Sequence, residues 1–279
     1  MKHRLAVTAV LFAFSITAAH AGLDEGKAAY ERGDYVTALS ELRPLAEQGN
    51  AEAQYRLATM YSRGLGIAKD EAEAVMWVRK AADQGFAEAQ NIVGYMYSQG
   101  RGVAKDDAEA TKWYRKAADQ GFPLAQYNVG NRYREGRGVT KDETEAAAWY
   151  RKAAEQGYAA GQHSLGIMLA EGAGLAKDEP EAVKWFREAA EQGHAGAQHS
   201  IGFMYARGSG VAKDESEAVK WYRMAADQGY VTSQYNLGRA YGCGCGVGKD
   251  ETEALKWFRK AAEQGHAGAQ QAIKTIGPR

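Results

Sequence analysis

The chain has 279 residues, 35 of them Lys or Arg and 35 Asp or Glu, a length that suits about two ordinary domains or one elongated array. Balanced charge with no basic block excludes a polyanion binder, and with it nucleic acid as a partner. At 45% hydrophobic and 10% aromatic the composition excludes global disorder, and 33 glycines against four prolines ask for a periodic use of glycine among largely unbroken helices.

Residues 1–21 read as an export signal. Lys2 and Arg4 are basic, Leu5 to Ile16 is an apolar run too short to span a bilayer, and Ala19, His20 and Ala21 form a small-x-small cleavage site before Gly22. No cysteine lies near that site to carry a lipid, and no later stretch is apolar over a spanning length. The expected product is a soluble protein of the periplasm, or a secreted one.

Residues 22–49, with Ala29, Tyr30, Gly33, Tyr35, Ala38, Leu42 and Leu45, read as an N-terminal capping hairpin of tetratricopeptide type. Beyond it, Trp77, Trp113, Trp149, Trp185, Trp221 and Trp257 account for every tryptophan, each 36 positions after the last. Gln-Gly pairs from Gln48-Gly49 to Gln264-Gly265 keep the same step. Six repeats therefore fill residues 50–265, and a period of this length marks an array whose units bury their apolar faces against neighbours.

Each unit reads as two helices. Ala89, Val93, Met96 and Tyr97 recur at helical spacing, which predicts a helix over Ala87–Gln99 closed by Gly100 and Gly102. Asp106 and Glu109 form a variant capping box for the second helix, recurring as Asp70/Glu73, Asp142/Glu145, Asp178/Glu181, Asp214/Glu217 and Asp250/Glu253. That helix buries Ala110, Trp113, Tyr114, Ala117 and Ala118 and stops at Gly121. Gly94, Gly130, Gly166, Gly202 and Gly238 lie inside the first helix, where close packing must offset about 1 kcal/mol each; Ala58 in the same column points to a need for small size. Residues 266–279 restart the pattern as a C-terminal capping helix and tail.

The recurring GxGV loop, KDxxEA start, Trp and AAxQG end resemble the Sel1-like repeat family, the tetratricopeptide-like α-hairpin proteins, in its bacterial exported type. The resemblance covers residues 50–276, with Ile67 and Leu175 replacing Val and Leu169 replacing Tyr. It implies an all-α fold, a right-handed superhelical solenoid, and a non-enzymatic scaffold for protein–protein interaction in envelope assembly, signalling or regulation. The alternative it implies is a β-lactam or peptidoglycan-fragment binding protein or hydrolase, as in a cysteine-rich secreted branch whose cysteines this chain lacks.

Comparing units separates framework columns from free ones. One free column is Tyr55, Asn91, Tyr127, His163, His199, Tyr235; four residues on, another is Thr59, Tyr95, Asn131, Ile167, Phe203, Arg239. The i to i+4 step puts both on one side of the first helix, which would line the concave face if the array forms as in related proteins. Tyr55, Tyr95, Asn91, Tyr127, Asn131, His163, Ile167, His199, Phe203, Tyr235 and Arg239 are therefore the expected binding surface for another envelope protein or a peptide segment of one.

Other constellations carry no chemistry. Gly242 to Asp250 resembles a phosphate loop but has Cys243 and Asp250 where such a loop needs Gly and Ser or Thr. For Cys243 and Cys245 a local disulfide, an intermolecular one, free thiols and a redox role stay open, and two cysteines alone complete no zinc site. His163 and His199 should stand about 9 Å apart, awkward for sharing a metal. His194 and His266 share a column with Phe86, Phe122, Tyr158 and Tyr230, which predicts packing at the hairpin junction. No acid/base pair or hydrolase motif stands out, so no catalytic residue, metal site or cofactor is expected.

Overall fold

The structure, a computed structural model, describes residues 21–276. The expected export signal falls, but for Ala21, outside the described residues. Among the described residues there are fifteen helices and no strand: α1 (21–31), α2 (Tyr35–Glu47), α3 (Ala51–Arg63), α4 (Glu71–Asp83), α5 (Ala87–Gln99), α6 (Asp107–Asp119), α7 (Pro123–Glu135), α8 (Glu143–Glu155), α9 (Ala159–Glu171), α10 (Glu179–Glu191), α11 (Ala195–Arg207), α12 (Glu215–Asp227), α13 (Val231–Cys243), α14 (Glu251–Glu263) and α15 (Ala267–Ile276). Two compact units divide them. One holds the described residues up to Ala125 with Arg137–Val139; the other holds Gln126–Gly136 and the described residues from Thr140 on. In the first, α2 to α6 pack one on the next, and in the second α8 to α15 do the same.

Local chemistry sets the helix ends. Asp106 Oδ1 accepts from the amides of Ala108 and Glu109, both at 2.9 Å, and Asp70, Asp142 and Asp214 cap their helices in the same two-amide way. The box glutamates were expected to reach back to the cap, but several turn forward. Glu73 accepts from Trp77 Nε1 at 3.0 Å and Glu181 from Trp185 Nε1 at 3.2 Å, while Glu109 and Glu253 pair with Lys112 and Lys256. At Glu73 and Glu181 the indole one turn on supplies a donor, and the cap aspartate already holds the first amides.

The two loop glycines do different things. The first, such as Gly172 with φ 74°, ends the first helix in the left-handed conformation that a side chain disfavours. The second lies against the start of the preceding repeat's second helix. A Cβ on Gly174 would stand 2.2 Å from the Glu143 carbonyl, and one on Gly138 would be 2.0 Å from that of Asp107. Glycine there lets one repeat's loop touch the backbone of the repeat before it.

The helical glycines answer to rings. A Cβ on Gly94, Gly130, Gly166 or Gly238 would sit 2.6 to 2.7 Å from Tyr114, Tyr150, Phe186 or Phe258. Where the ring's place is taken by Val78, the facing column carries Ala58. Trp77, Trp113, Trp149 and Trp257 are buried, as the framework reading requires, and Trp185 and Trp221 are half-buried.

A glutamine relay, invisible as such in the repeat pattern, links successive repeats within each unit. Buried Gln198 donates from Nε2 to the Ala190 carbonyl of the preceding repeat at 3.1 Å, and its Oε1 accepts from Gln228 of its own repeat at 2.8 Å. Gln54, Gln90, Gln162 and Gln234 do the same with Ala46 and Gln84, Ala82 and Gln120, Ala154 and Gln192, and Ala226 and Gln264. Each amide thereby gives a second donor to a carbonyl at a helix end that already accepts from the backbone, as the Ala190 carbonyl does from the Gly193 amide at 2.9 Å, and so ties that end to the next repeat.

Candidate docking surface

The two free columns lie on the first helices, and the structure gives them different surroundings. Rings of the first column are stacked into the protein. Tyr55 packs on Phe86 at 5.2 Å between centroids, Tyr127 on Tyr158 at 5.6 Å, His163 on His194 at 4.7 Å, His199 on Tyr230 at 5.0 Å and Tyr235 on His266 at 4.3 Å. Each partner is the residue that opens the next repeat. On the other side Tyr127, His163, His199 and Tyr235 meet Tyr150, Phe186, Tyr222 and Phe258 of their own second helix, at 5.6 to 5.8 Å. The column is thus an aromatic ladder joining repeats, and offers a ligand ring edges more than open faces. Asn91 is buried, 7% exposed, and offers almost no surface.

Hydrogen bonds hold the histidines of this ladder. His163 Nε2 lies 3.1 Å from Ser200 Oγ, and His199 Nδ1 lies 2.9 Å from Ser233 Oγ. His194 Nδ1 accepts from the Ala197 amide at 3.1 Å and so caps α11, which fixes its proton on Nε2. His266 Nδ1 accepts from the Ala269 amide at 3.2 Å in the same way. Burial, then the neighbouring His194, His199 and Arg134, hold His163 well below the usual histidine range, at about 4. Burial lowers His194 and His199 as well.

The second column faces outward. Tyr95 is 45% and Phe203 41% exposed; Arg239 is exposed beside the Tyr235 ring, and Ile167 is half-buried. Asn131 accepts from the Tyr150 hydroxyl at 2.6 Å, and Thr59 donates to the Tyr55 carbonyl. Thr59, Tyr95, Ile167 and Phe203 border clefts between neighbouring first helices. In the first unit a pocket of about 420 Å³ is lined by Thr59 and Arg63 of α3 and by Ile92, Tyr95 and Met96 of α5. In the second, a pocket of about 400 Å³ is lined by Ile167 and Glu171 of α9 and by Ser200, Phe203 and Met204 of α11. Those two sets correspond residue for residue three repeats apart, so the same cleft recurs in both units. The rims carry both signs of charge. Arg101 pairs with Glu71 at 3.5 Å beside the first pocket, and Lys177 with Glu179 at 2.8 Å beside the second, where Arg207 also lies over the Phe203 ring.

Cys243, the last residue of α13, and Cys245 in the loop after it are joined by a disulfide, their Cα atoms 5.3 Å apart. Among the described residues no group of three His, Cys, Asp or Glu is placed to hold a metal ion, and no helix is long and apolar enough to cross a membrane.

The Sel1 repeat family matches six consecutive segments, residues 51–86, 87–122, 123–158, 159–194, 195–230 and 231–266. The fold is similar to the crystal structure of c5321, a protective antigen present in uropathogenic Escherichia coli strains that displays an SLR fold. The two are 41% identical with a TM-score of 0.80, over 85% of this chain and 51% of that one, so this chain spans about half of that protein's length. A Sel1 repeat protein from Oxalobacter formigenes is 34% identical with a TM-score of 0.76, over 93% of this chain and 76% of that one. No match was found among curated proteins.

Proposed function

The chain belongs to the Sel1 repeat family, and from that premise we propose that it is an exported, non-catalytic scaffold that docks a segment of another envelope protein along its first-helix face. The observation that carries this reading is the recurrence of one cleft, with many of the same lining positions and an exposed aromatic at its mouth, in both units. A surface that repeats at fixed intervals suits an extended or helical segment better than one small molecule. Tyr95 and Phe203 supply large rigid contact area, and the mixed rims supply register. Ile167 and Arg239 extend the surface, while Tyr55, Tyr127, His163, His199 and Tyr235 hold its geometry from beneath.

Export rests on the basic start, the apolar run and the Ala19 to Ala21 site, and a 41% identical protein that is a protective antigen accords with it. Cell fractionation should find the mature chain in the periplasm or medium, beginning at Gly22. Docking is tested with a photo-crosslinking residue at position 95 or 203, and at Met224 on α12 as an exposed control, in intact cells. A discrete adduct with one envelope protein from positions 95 and 203, absent from 224, is the expected result. Equal labelling from 224 would overturn the choice of face, and turnover of a chromogenic β-lactam by the purified protein would overturn the non-catalytic reading.

A further inference from the structure

The loop between the two helices of each repeat exists in this chain in six versions, five of which contain no cysteine. Its first position is Arg63, Gln99, Glu135, Glu171, Arg207 and Cys243 in turn, and two residues on stand Leu65, Arg101, Arg137, Ala173, Ser209 and Cys245. The backbone between them is the same in each. Gly64, Gly100, Gly172 and Gly208 have φ of 70°, 71°, 74° and 72°, and Gly244 has 75°. The amides of Leu65, Ala173 and Cys245 each donate to the carbonyl five residues back, all at 3.0 Å. Farther on, Asp70 and Asp250 donate to the carbonyls of Tyr61 and Tyr241 at 3.0 and 2.9 Å. Glycine conformation and backbone hydrogen bonds therefore close this loop without a cross-link.

The Cys243–Cys245 disulfide is thus redundant for the fold. Its Cα separation of 5.3 Å is set by a backbone that the other loops share, and lies in the ordinary bridging range. A bridge between residues two apart also closes too short a loop to restrict the unfolded chain much. The bond is accessible: Cys243 is exposed, like the residues at its position in the other five loops, and a Cβ on nearby Gly248 would meet nothing within 4 Å.

We infer that the Cys243-Gly244-Cys245 loop is a reversible thiol–disulfide exchange site, which takes an external thiol as its reactant and leaves the fold unchanged in either oxidation state. The thiolate of a low-molecular-weight thiol attacks the Sγ of the exposed residue Cys243. The protein S–S bond breaks, its electron pair leaves on Cys245 Sγ, and that sulfur takes a proton from water. Cys245 is the better leaving group, because Cys243 is the last residue of α13, where the negative end of the helix disfavours a thiolate. A second external thiolate then attacks the external sulfur of the mixed disulfide and releases Cys243 as a thiol. In sum one protein disulfide and two thiols give one protein dithiol and one external disulfide, a two-electron reduction of the protein; the reverse reoxidises it.

The test uses the full chain, glutathione buffers of graded ratio, maleimide trapping and mass spectrometry, with thermal melts of both forms. Two thiols should appear per chain without denaturant as the buffer becomes more reducing, and should disappear again with oxidised glutathione. The melting temperature should shift by less than about 3 °C between forms, and the double variant Cys243→Ser/Cys245→Ser should melt with the oxidised protein. A larger drop on reduction or in the double variant would show a structural staple. Thiols that titrate only after unfolding, or that fail to re-pair in oxidised glutathione, would remove the exchange site.

Discussion

At Gly238 the choice of residue is set by a ring on the other helix of the hairpin. A Cβ there would stand 2.7 Å from Phe258 Cδ1, well inside contact distance, so Gly238→Ala should lower stability by about 2 kcal/mol through overpacking. The first repeat shows the compatible alternative, Ala58 in the glycine's column and Val78 in the ring's. Gly238→Ala combined with Phe258→Val should therefore lose less than the two single changes together, by about 1 kcal/mol or more in denaturant unfolding. Strict additivity would mean that the columns do not read each other. The histidines of the ladder make a second demand. His163 is held at about 4, against an ordinary 6.5 in the unfolded chain, so it is neutral in the fold. Between those values the unfolded chain binds a proton that the folded one refuses. The associated stability is complete above about pH 6.5 and falls away as the pH drops toward 4, by up to about 3 kcal/mol. His194 acts in the same direction, since protonating Nδ1 removes the α11 cap. Melts of the wild type and His163→Gln at pH 7 and pH 4.5 should show a clearly smaller acid shift in the variant.

Among the elements, the two helices of each repeat show how far the repeat pattern can be read and where it stops. Helix α5 occupies Ala87–Gln99, the range set by apolar spacing and the Gly100 stop, because those signals act within one helix. The aromatic ladder and the glutamine relay were not legible. Their partners lie on other helices or at the turns between them, and a column states which residues occupy a place without stating what they touch. Asn91 was misplaced for the same reason: helical phase put it beside Tyr95, but proximity along one helix does not fix burial. Lysine cover over the tryptophans is a further pairing found only in the structure. Lys80, Lys116, Lys152 and Lys260 stand 3.8 to 4.2 Å over Trp77, Trp113, Trp149 and Trp257, and those four rings are buried. The corresponding places beside half-buried Trp185 and Trp221 hold Glu188 and Met224. Met224→Lys should restore the cover, add about 0.5 to 1 kcal/mol, and slow N-bromosuccinimide oxidation of Trp221 severalfold by peptide mass spectrometry, with Trp257 unaffected.

For the molecule, the consequence of this construction is that stability passes from neighbour to neighbour. Within the second unit α8 to α15 pack in chain order, and the relay residues tie each repeat to the one before it. Such an array has nearest-neighbour energetics, so local damage should weaken with distance along the chain and not lower all helices alike. Gln198→Leu is the sharpest probe, since it takes one donor from the Ala190 carbonyl and one acceptor from the Gln228 amide, leaving them the Gly193 amide and the Gly193 carbonyl, at about 1 to 2 kcal/mol. Amide hydrogen exchange should then lose most protection in α10, α11 and α12, less in α13, and least in α14. Uniform loss from α8 to α14 would mean that the second unit opens as one cooperative block. In that case the clefts between its first helices could not adjust one at a time to a docked segment. Graded loss would let each cleft close on its part of the segment at its own local cost, which an exposed aromatic such as Phe203 could offset on contact.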